Sequence, residues 1–296
     1  MSGALRQKMP NTVASRRQEV WGSPIAHSQS PELHLAAYTT LGLDWEYRRQ
    51  EVTAEKLEAS FATVDQSVGG LSLTMPLKEG ILDLVSEHRG PVDILHAANT
   101  AIRGEHGWWI DNTDWFGINQ VLTHSGGVHN QTVWLLGAGA TARSVLYALS
   151  QQSVRNVVLV VRDATRARAS AVLAETLGLD YDIALFDELP EDDHPAWVIS
   201  TVPGGNVANP HAFATAATGS SYLDAAYDPW PTPLAQVWSQ QGRSTLSGLE
   251  MLTYQALAQI RGLVNGDTSI SVDREDLVVR AMREAVGLGP EPTVKE

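Results

Sequence analysis

The run Gly137-Ala138-Gly139-Ala140-Thr141-Ala142 has the residue types and spacing for one kind of chemistry, the binding of a dinucleotide. It has the form G-x-G-x-x-A, follows the apolar run TVWLL and opens the helix-like stretch ARSVLYAL. That context is what the fingerprint requires. Glycine permits the tight turn and the close approach of backbone to a pyrophosphate. The helix N-terminus adds unpaired N–H groups and the positive end of its dipole. Gly137, Ala138, Gly139, Ala140 and Thr141 are therefore candidate cofactor residues. The plainer alternative is a glycine-rich turn without a ligand; the flanking strand and helix favour the cofactor loop.

The end of the next strand selects the cofactor. An acidic residue there takes the ribose hydroxyls of NAD, whereas arginine accommodates the 2′-phosphate of NADP. The strand NVVLVV ends at Arg162, and Arg166 follows near the first turn of a helix. Two guanidinium groups would clamp the phosphate and stack on the adenine. The alternative is a pair of solvated surface arginines. Asp163, with its carboxylate turned toward the ribose, would weaken the preference for NADP, which is the expected cofactor.

Such residues need a framework, and short apolar runs alternate with helix-like stretches along the chain. EVWG, WEYRRQEV and GGLSLT read as strands. Residues 31–41 read as a helix capped by Ser30 with Pro31 at its first position, 53–64 as a helix capped by Thr53, and Pro76 as the opening of another. A second unit starts near Asp114, with a helix over 115–124. It continues through the glycine loop and NVVLVV, a continuous apolar run suited to a parallel strand buried on both faces. A helix over 165–177, strands at 182–185, WVIST and SYLDAAY, a long amphipathic helix over 249–262 and a last helix from Asp273 complete it. The alternation predicts an α/β fold.

The 296 residues suggest two domains. The net charge of -13 argues against a nucleic-acid or anionic membrane partner, since both need a basic face. No cysteine is present, which excludes disulfides, zinc–thiolate sites and a cysteine nucleophile, and the nine histidines show no metal-binding spacing. No apolar run approaches the ~20 residues of a membrane span. The basic first 16 residues lack an apolar signal core and read, like 289–296, as a tail. A cytoplasmic monomer or homodimer acting on a small molecule is expected.

Several polar residues admit ordinary readings. Lys78 suits a solvated position early in a helix, Asp114 the N-cap of the helix over 115–124, and Asn99 a loop that satisfies its own backbone. A longer pattern changes their weight. Residues 22–34, GSPIAHSQSPELH, resemble the N-terminal signature of the shikimate dehydrogenase family. Further segments match in the same order: SLTMPLK over 72–78, Ala98-Asn99-Thr100, DNTD over 111–114, the glycine loop, and SGLEML over 247–252 with Gln255. The likeness runs from about Trp21 to Gly287 and is to actinobacterial members in particular, which share YDPWPTP over 227–233.

The resemblance implies a Rossmann-like NADP-binding domain over 114–248 and an α/β substrate-binding domain over 17–113, completed by 249–288, with a cleft between them. It implies NADPH-dependent reduction of 3-dehydroshikimate to shikimate in aromatic amino acid biosynthesis. Lys78 and Asp114 would be the catalytic pair. Ser28 and Ser30 would bind the substrate carboxylate, Thr74, Asn99 and Gln255 its hydroxyls, and Tyr227 would close from the cofactor side. Thr201, Val202, Ala225, Gly248 and Met251 would join the cofactor site. Reducing a ketone by hydride builds negative charge on oxygen, and a lysine supplies both the charge and the proton that this demands. His27 and His34 read as structural hydrogen-bonders. The sequence departs from the family's usual residues at Ser72, His96, Ala140, Asp163 and Ala225. An NAD-preferring quinate/shikimate dehydrogenase and a non-catalytic dinucleotide-binding regulator are the alternatives.

Overall fold

The computed structural model describes residues 17–190 and 194–290, which form two six-stranded sheets with helices around them. The tail expected over the first 16 residues lies outside the described residues, as do 291–296 of the second.

The first sheet contains β1 (Arg17–Gly22), β2 (Glu46–Glu51), β3 (Val68–Leu73), β4 (Glu87–His88), β5 (Thr100–Gly104) and β6 (Gly107–Asp111), in the order β2-β1-β3-β5-β6-β4. Three helices belong to this stretch: α1 (Ser30–Leu41), α2 (Leu57–Ala62) and α3 (Val92–Leu95). Strands β1, β2 and β3 run parallel, and β3 is buried along its whole length. The antiparallel hairpin of β5 and β6, with Thr100 opposite Asp111, has no counterpart in the sequence reading. Its turn, Gly104-Glu105-His106-Gly107, lacks the Asn-Gly or Asp-Gly pair that marks tight hairpins.

The second sheet contains β7 (Thr132–Leu136), β8 (Asn156–Val161), β9 (Tyr181–Leu185), β10 (Trp197–Ser200), β11 (Ser221–Asp224) and β12 (Thr245–Leu246), in the order β12-β11-β10-β7-β8-β9. Every pairing is parallel. The chain winds outward from β7 on one side and from β10 on the other, so the order reverses between them. In such sheets that switch point is where a ligand binds, at the carboxyl ends of the strands. The remaining helices are α4 (Asp114–His124), α5 (Ala140–Ser150), α6 (Ala164–Thr176), α7 (Pro210–Ala216), α8 (Pro233–Gln240), α9 (Gly248–Asn265) and α10 (Glu275–Ala285).

Helices α4 and α9 pack so closely that a Cβ on Gly117 would lie 2.5 Å from the Met251 carbonyl oxygen. One apolar cluster runs from Val20 and Leu33 through Ile118 and Tyr254 to Leu135 and Val145, and so joins the two sheets. Helix α9 also returns the chain to the first sheet, where Gln259 bonds the Asn99 carbonyl. Residue Arg274, just before α10, donates to the Thr40 carbonyl of α1.

Local expectations change at four places. Pro76 opens no α-helix; the chain makes turns and then a 3₁₀ turn over Gly80–Asp83. The carbonyl of Lys78, which a helix would bond to its own chain four residues on, instead accepts from the distant Ala98 N–H at 2.8 Å. Ser30 is the first residue of α1, not its cap, and its position is occupied by Gln29. Thr53 makes no capping bond, and its segment is a 3₁₀ turn leading into the short α2. Thr113 takes the cap position of α4, and Asp114 is the first helical residue.

Candidate active site

Two cavities adjoin in the cleft between the sheets. The larger, about 640 Å³, is lined by Gly137, Ala138, Gly139, Ala140, Thr141, Arg162, Arg166, Thr201 and Val202 among others. The smaller, about 270 Å³, is lined by Ser28, Ser30, Thr74, Asn99, Asp114, Tyr227 and Gln255 among others. Lys78, Thr74, Met75 and Pro203 line both.

The larger cavity sits at the switch point. Gly137 follows β7 with φ +102°, in the left-handed region, and a Cβ there would meet Thr201 Oγ1 at 2.6 Å. Only glycine turns the chain there without strain. Gly139 takes the N-cap position of α5 and brings no side-chain cap, so the first N–H groups of that helix are left to a ligand. Arg162 and Arg166 are exposed at the end of β8 and the start of α6. Asp163 is occupied otherwise: it caps α6 and accepts from Thr165 N–H at 2.9 Å and Thr165 Oγ1 at 2.8 Å. The backbone bond first, then the hydroxyl, holds its carboxyl below the usual range. These features fit a phosphorylated dinucleotide: an open helix N-terminus for the pyrophosphate and two cations for a further phosphate.

Three expected cofactor residues, Ala225, Gly248 and Met251, line neither cavity. Gly248 is pressed against the loop after β11, where a Cβ would lie 2.2 Å from the Ala225 carbonyl oxygen. Met251 is buried in the main core. Phe186, absent from the sequence reading, lines the larger cavity from the end of β9, a place that no local pattern marks.

In the smaller cavity Lys78 Nζ donates to Asp114 Oδ2 at 2.5 Å. The lysine side chain is 14% exposed and the aspartate 5%. Asp114 Oδ1 accepts from Asn99 Nδ2 at 2.8 Å, so each carboxylate oxygen has its own donor. Asn99 is held in turn: its Oδ1 accepts from Thr113 N–H at 2.7 Å and Thr100 Oγ1 at 2.9 Å, and its Nδ2 also reaches Gln255 Oε1 at 2.9 Å. Asn112 Oδ1 accepts from the Asp114 N–H and so does the capping work at the start of α4. Ser28 and Ser30 are buried, with their hydroxyls 3.3 Å apart. Tyr227 enters from the loop after β11; burial pushes its phenol above the usual range.

A buried polar chain backs this cavity. Tyr47 OH donates to Ser72 Oγ at 2.6 Å, and Ser72 Oγ donates to Gln259 Oε1 at 2.8 Å. His34 lies between Tyr38 OH at 3.0 Å and Gln259 Oε1 at 3.2 Å. Burial pushes its imidazole down to about 3, so it is neutral and serves as a structural hydrogen-bonder. His27 differs from that expectation, being exposed at the cavity wall. Gln259, which lines the smaller cavity, was missed in the sequence although a signal existed: it follows Gln255 by one helical turn. Among the described residues no cluster of side chains could hold a metal ion, and no helix is long and apolar enough to cross a membrane.

An ammonium on the border of a cavity that fits a dinucleotide and a small polar cavity can deliver a proton to the oxygen of a carbonyl whose carbon takes a hydride. Comparison with known proteins points the same way. Residues 20–101 match the family model of the shikimate dehydrogenase substrate binding domain. The pentafunctional AROM polypeptide of Schizosaccharomyces japonicus is 29% identical over 273 residues, 83% of this chain; the chain spans only 17% of that polypeptide's length. The shikimate 5-dehydrogenase of Thermus thermophilus, solved in complex with NADP(H) and shikimate, is 26% identical, with a TM-score of 0.74 and coverage of 91% of this chain and 99% of that one. Mycobacterium tuberculosis shikimate dehydrogenase is 32% identical, with a TM-score of 0.78 and coverage of 91% of this chain and 99% of the other. With that degree of likeness over nearly the full length of both proteins, the chain belongs to the shikimate dehydrogenase family.

Proposed function

We propose that the chain catalyses the reversible, NADPH-dependent reduction of 3-dehydroshikimate to shikimate, a step on the route to aromatic amino acids. The observation that carries this reading is the position of Lys78, bonded to Asp114 in the smaller cavity and bordering the dinucleotide cavity as well. Bound NADPH would supply the hydride. Gly137–Thr141 and the start of α5 would hold its pyrophosphate, and Arg162 and Arg166 its 2′-phosphate. Lys78 would give a proton to the oxygen left negative by hydride arrival, with Asp114 directing its Nζ. Ser28 and Ser30 would take the carboxylate, Thr74, Asn99 and Gln255 the ring hydroxyls, and Tyr227 would cover the ligand. The corresponding units are a substrate domain over 17–113, completed by 249–288, and a nucleotide domain over 114–248. A monomer or homodimer in the cytoplasm is part of the same reading, which an acidic chain without cysteine permits.

The NAD-preferring quinate/shikimate alternative loses its chief support, because the Asp163 carboxylate caps α6. The non-catalytic alternative is opposed by the intact Lys78–Asp114 pair. The test is oxidation of shikimate with NADP, followed as NADPH absorbance, in the wild type and in Lys78→Ala. Loss of general acid–base help should lower kcat by about 10²–10⁴-fold with the fold unchanged. Near-normal turnover in the variant would remove the lysine from the mechanism.

A further inference from the structure

On the proposed function, on which this inference rests, the smaller cavity must hold a carboxylate at its Ser28–Ser30 end. Its lining does little to attract one. Lys78 is engaged by Asp114 at 2.5 Å, Asp228 adds a negative charge, and the whole chain carries -13. Hydroxyl groups alone bind an anion weakly against such a background.

Behind the serines stands Arg49, on the edge strand β2. Its Nε and Nη2 donate to the Ser28 carbonyl at 2.9 and 2.5 Å, and Nη2 also donates to Glu32 Oε1 at 2.7 Å. The Ser28 N–H is tied to the Ile25 carbonyl at 3.0 Å, so the backbone of Ser28 is gripped on both sides. The Ser30 N–H donates to Ser28 Oγ at 3.3 Å, which passes the same constraint to the second serine. Two N–H groups converging on one carbonyl while a third reaches a carboxylate is a task for a planar guanidinium; a lysine ammonium does not reproduce it. The charge is also felt inside the cavity. Burial pushes the Tyr227 phenol up, and Arg49 is among the groups that oppose that push.

We propose that Arg49 is a positioning residue for the substrate carboxylate: it clamps the Ser28 carbonyl, aims the Ser28 and Ser30 hydroxyls into the cavity, and sets a cation one peptide group behind them. Glu32, half exposed beside it, partly screens its charge.

The test compares wild type, Arg49→Met, Arg49→Lys and Glu32→Gln, with shikimate and with its methyl ester, which lacks the charge. Arg49→Met should raise KM for shikimate about tenfold, the effect of one charge-assisted contact discounted for exposure, with KM for NADP and kcat within about twofold. Its preference for shikimate over the ester should narrow by the same factor, Arg49→Lys should fall between, and Glu32→Gln should not raise KM. An unchanged shikimate KM in Arg49→Met, an equal rise in the KM of NADP, or an unaltered preference over the ester would overturn the proposal. So would a Glu32→Gln defect as large as that of Arg49→Met, since the pair would then be only a structural brace. Calorimetric binding of shikimate separates this inference from the enzymatic reading. Arg49-dependent binding without turnover keeps the inference and removes that reading; turnover with Arg49-independent binding does the reverse.

Discussion

Lys78 and Arg162 illustrate how differently two cations acquire a role. Lys78 is directed by a fixed partner, since Asp114 Oδ2 accepts its hydrogen bond at 2.5 Å while Asn99 donates to the other carboxylate oxygen. Arg162 is exposed and lines the larger cavity, and on the proposed reading its partner would be the 2′-phosphate of the cofactor. Arg162→Ala should therefore raise KM for NADP roughly tenfold, a charge-assisted contact reduced by solvent exposure, and leave KM for NAD nearly unchanged. Steady-state kinetics with both cofactors decides it, and an equal effect on the two would remove the clamp. The place of Arg162 on the cavity wall was legible because a strand end next to a glycine loop is a local pattern. Asp163 was misleading because its sequence position says nothing of where its carboxylate turns, and here the start of α6 claims it.

At the level of elements, α4 and α9 hold the two halves of the smaller cavity together. Asp114 comes from the first turn of α4, and Gln255 and Gln259 from successive turns of α9. Gly117 lets them approach: its Cβ would lie 2.5 Å from the Met251 carbonyl oxygen and 3.1 Å from the Gln255 nitrogen. Alanine in a helix is ordinarily better than glycine by about 1 kcal/mol. Here backbone lies in the way and cannot yield like a side-chain end, so Gly117→Ala should instead destabilise by about 1–3 kcal/mol, as overpacked cores do. Urea denaturation checks the sign; a more stable variant would show that the helices can part. The same scale explains the missing helix after Pro76. Pro76 promised one, but the Lys78 carbonyl is taken by Ala98, and that bond holds the lysine against the cavity wall.

For the whole molecule, the relation of the two sheets would decide whether the hydride reaches the carbon and the proton the oxygen of the same carbonyl group. Besides α4 and α9, Arg143 of α5 spans the cleft. It donates to the Leu95 carbonyl at 2.7 Å and to Glu79 Oε1 at 2.5 Å. Glu79 adjoins Lys78, so this contact ties the cofactor helix to the segment that carries the lysine. Arg143→Ala should lower stability by about 1–3 kcal/mol, because it strips a charge-assisted bond from a buried segment. It should also lower kcat/KM for shikimate severalfold, with NADP binding less affected. Unchanged urea midpoint and turnover together would show that the lobes keep their spacing without it.

What the sequence determined by itself is local. Apolar periodicity marks most of the strands and most helices, and glycine spacing marks a turn that needs an absent Cβ, because each depends on a few neighbouring residues. Even the parallel sheet was foreshadowed by continuous apolar runs such as β7 and β8, though its short edge strand β12 was not. Tertiary structure alone decided which polar groups share a cavity. Asn99 and Gln255 bond each other across 156 residues of chain, and Lys78 and Asp114 across 36. It also decided how closely Gly248 approaches the Ala225 carbonyl oxygen, and that Met251 joins the main core. Such meetings are set by how sheets and helices stack, and stacking is a property of the whole set of buried surfaces, not of any segment that contributes to it.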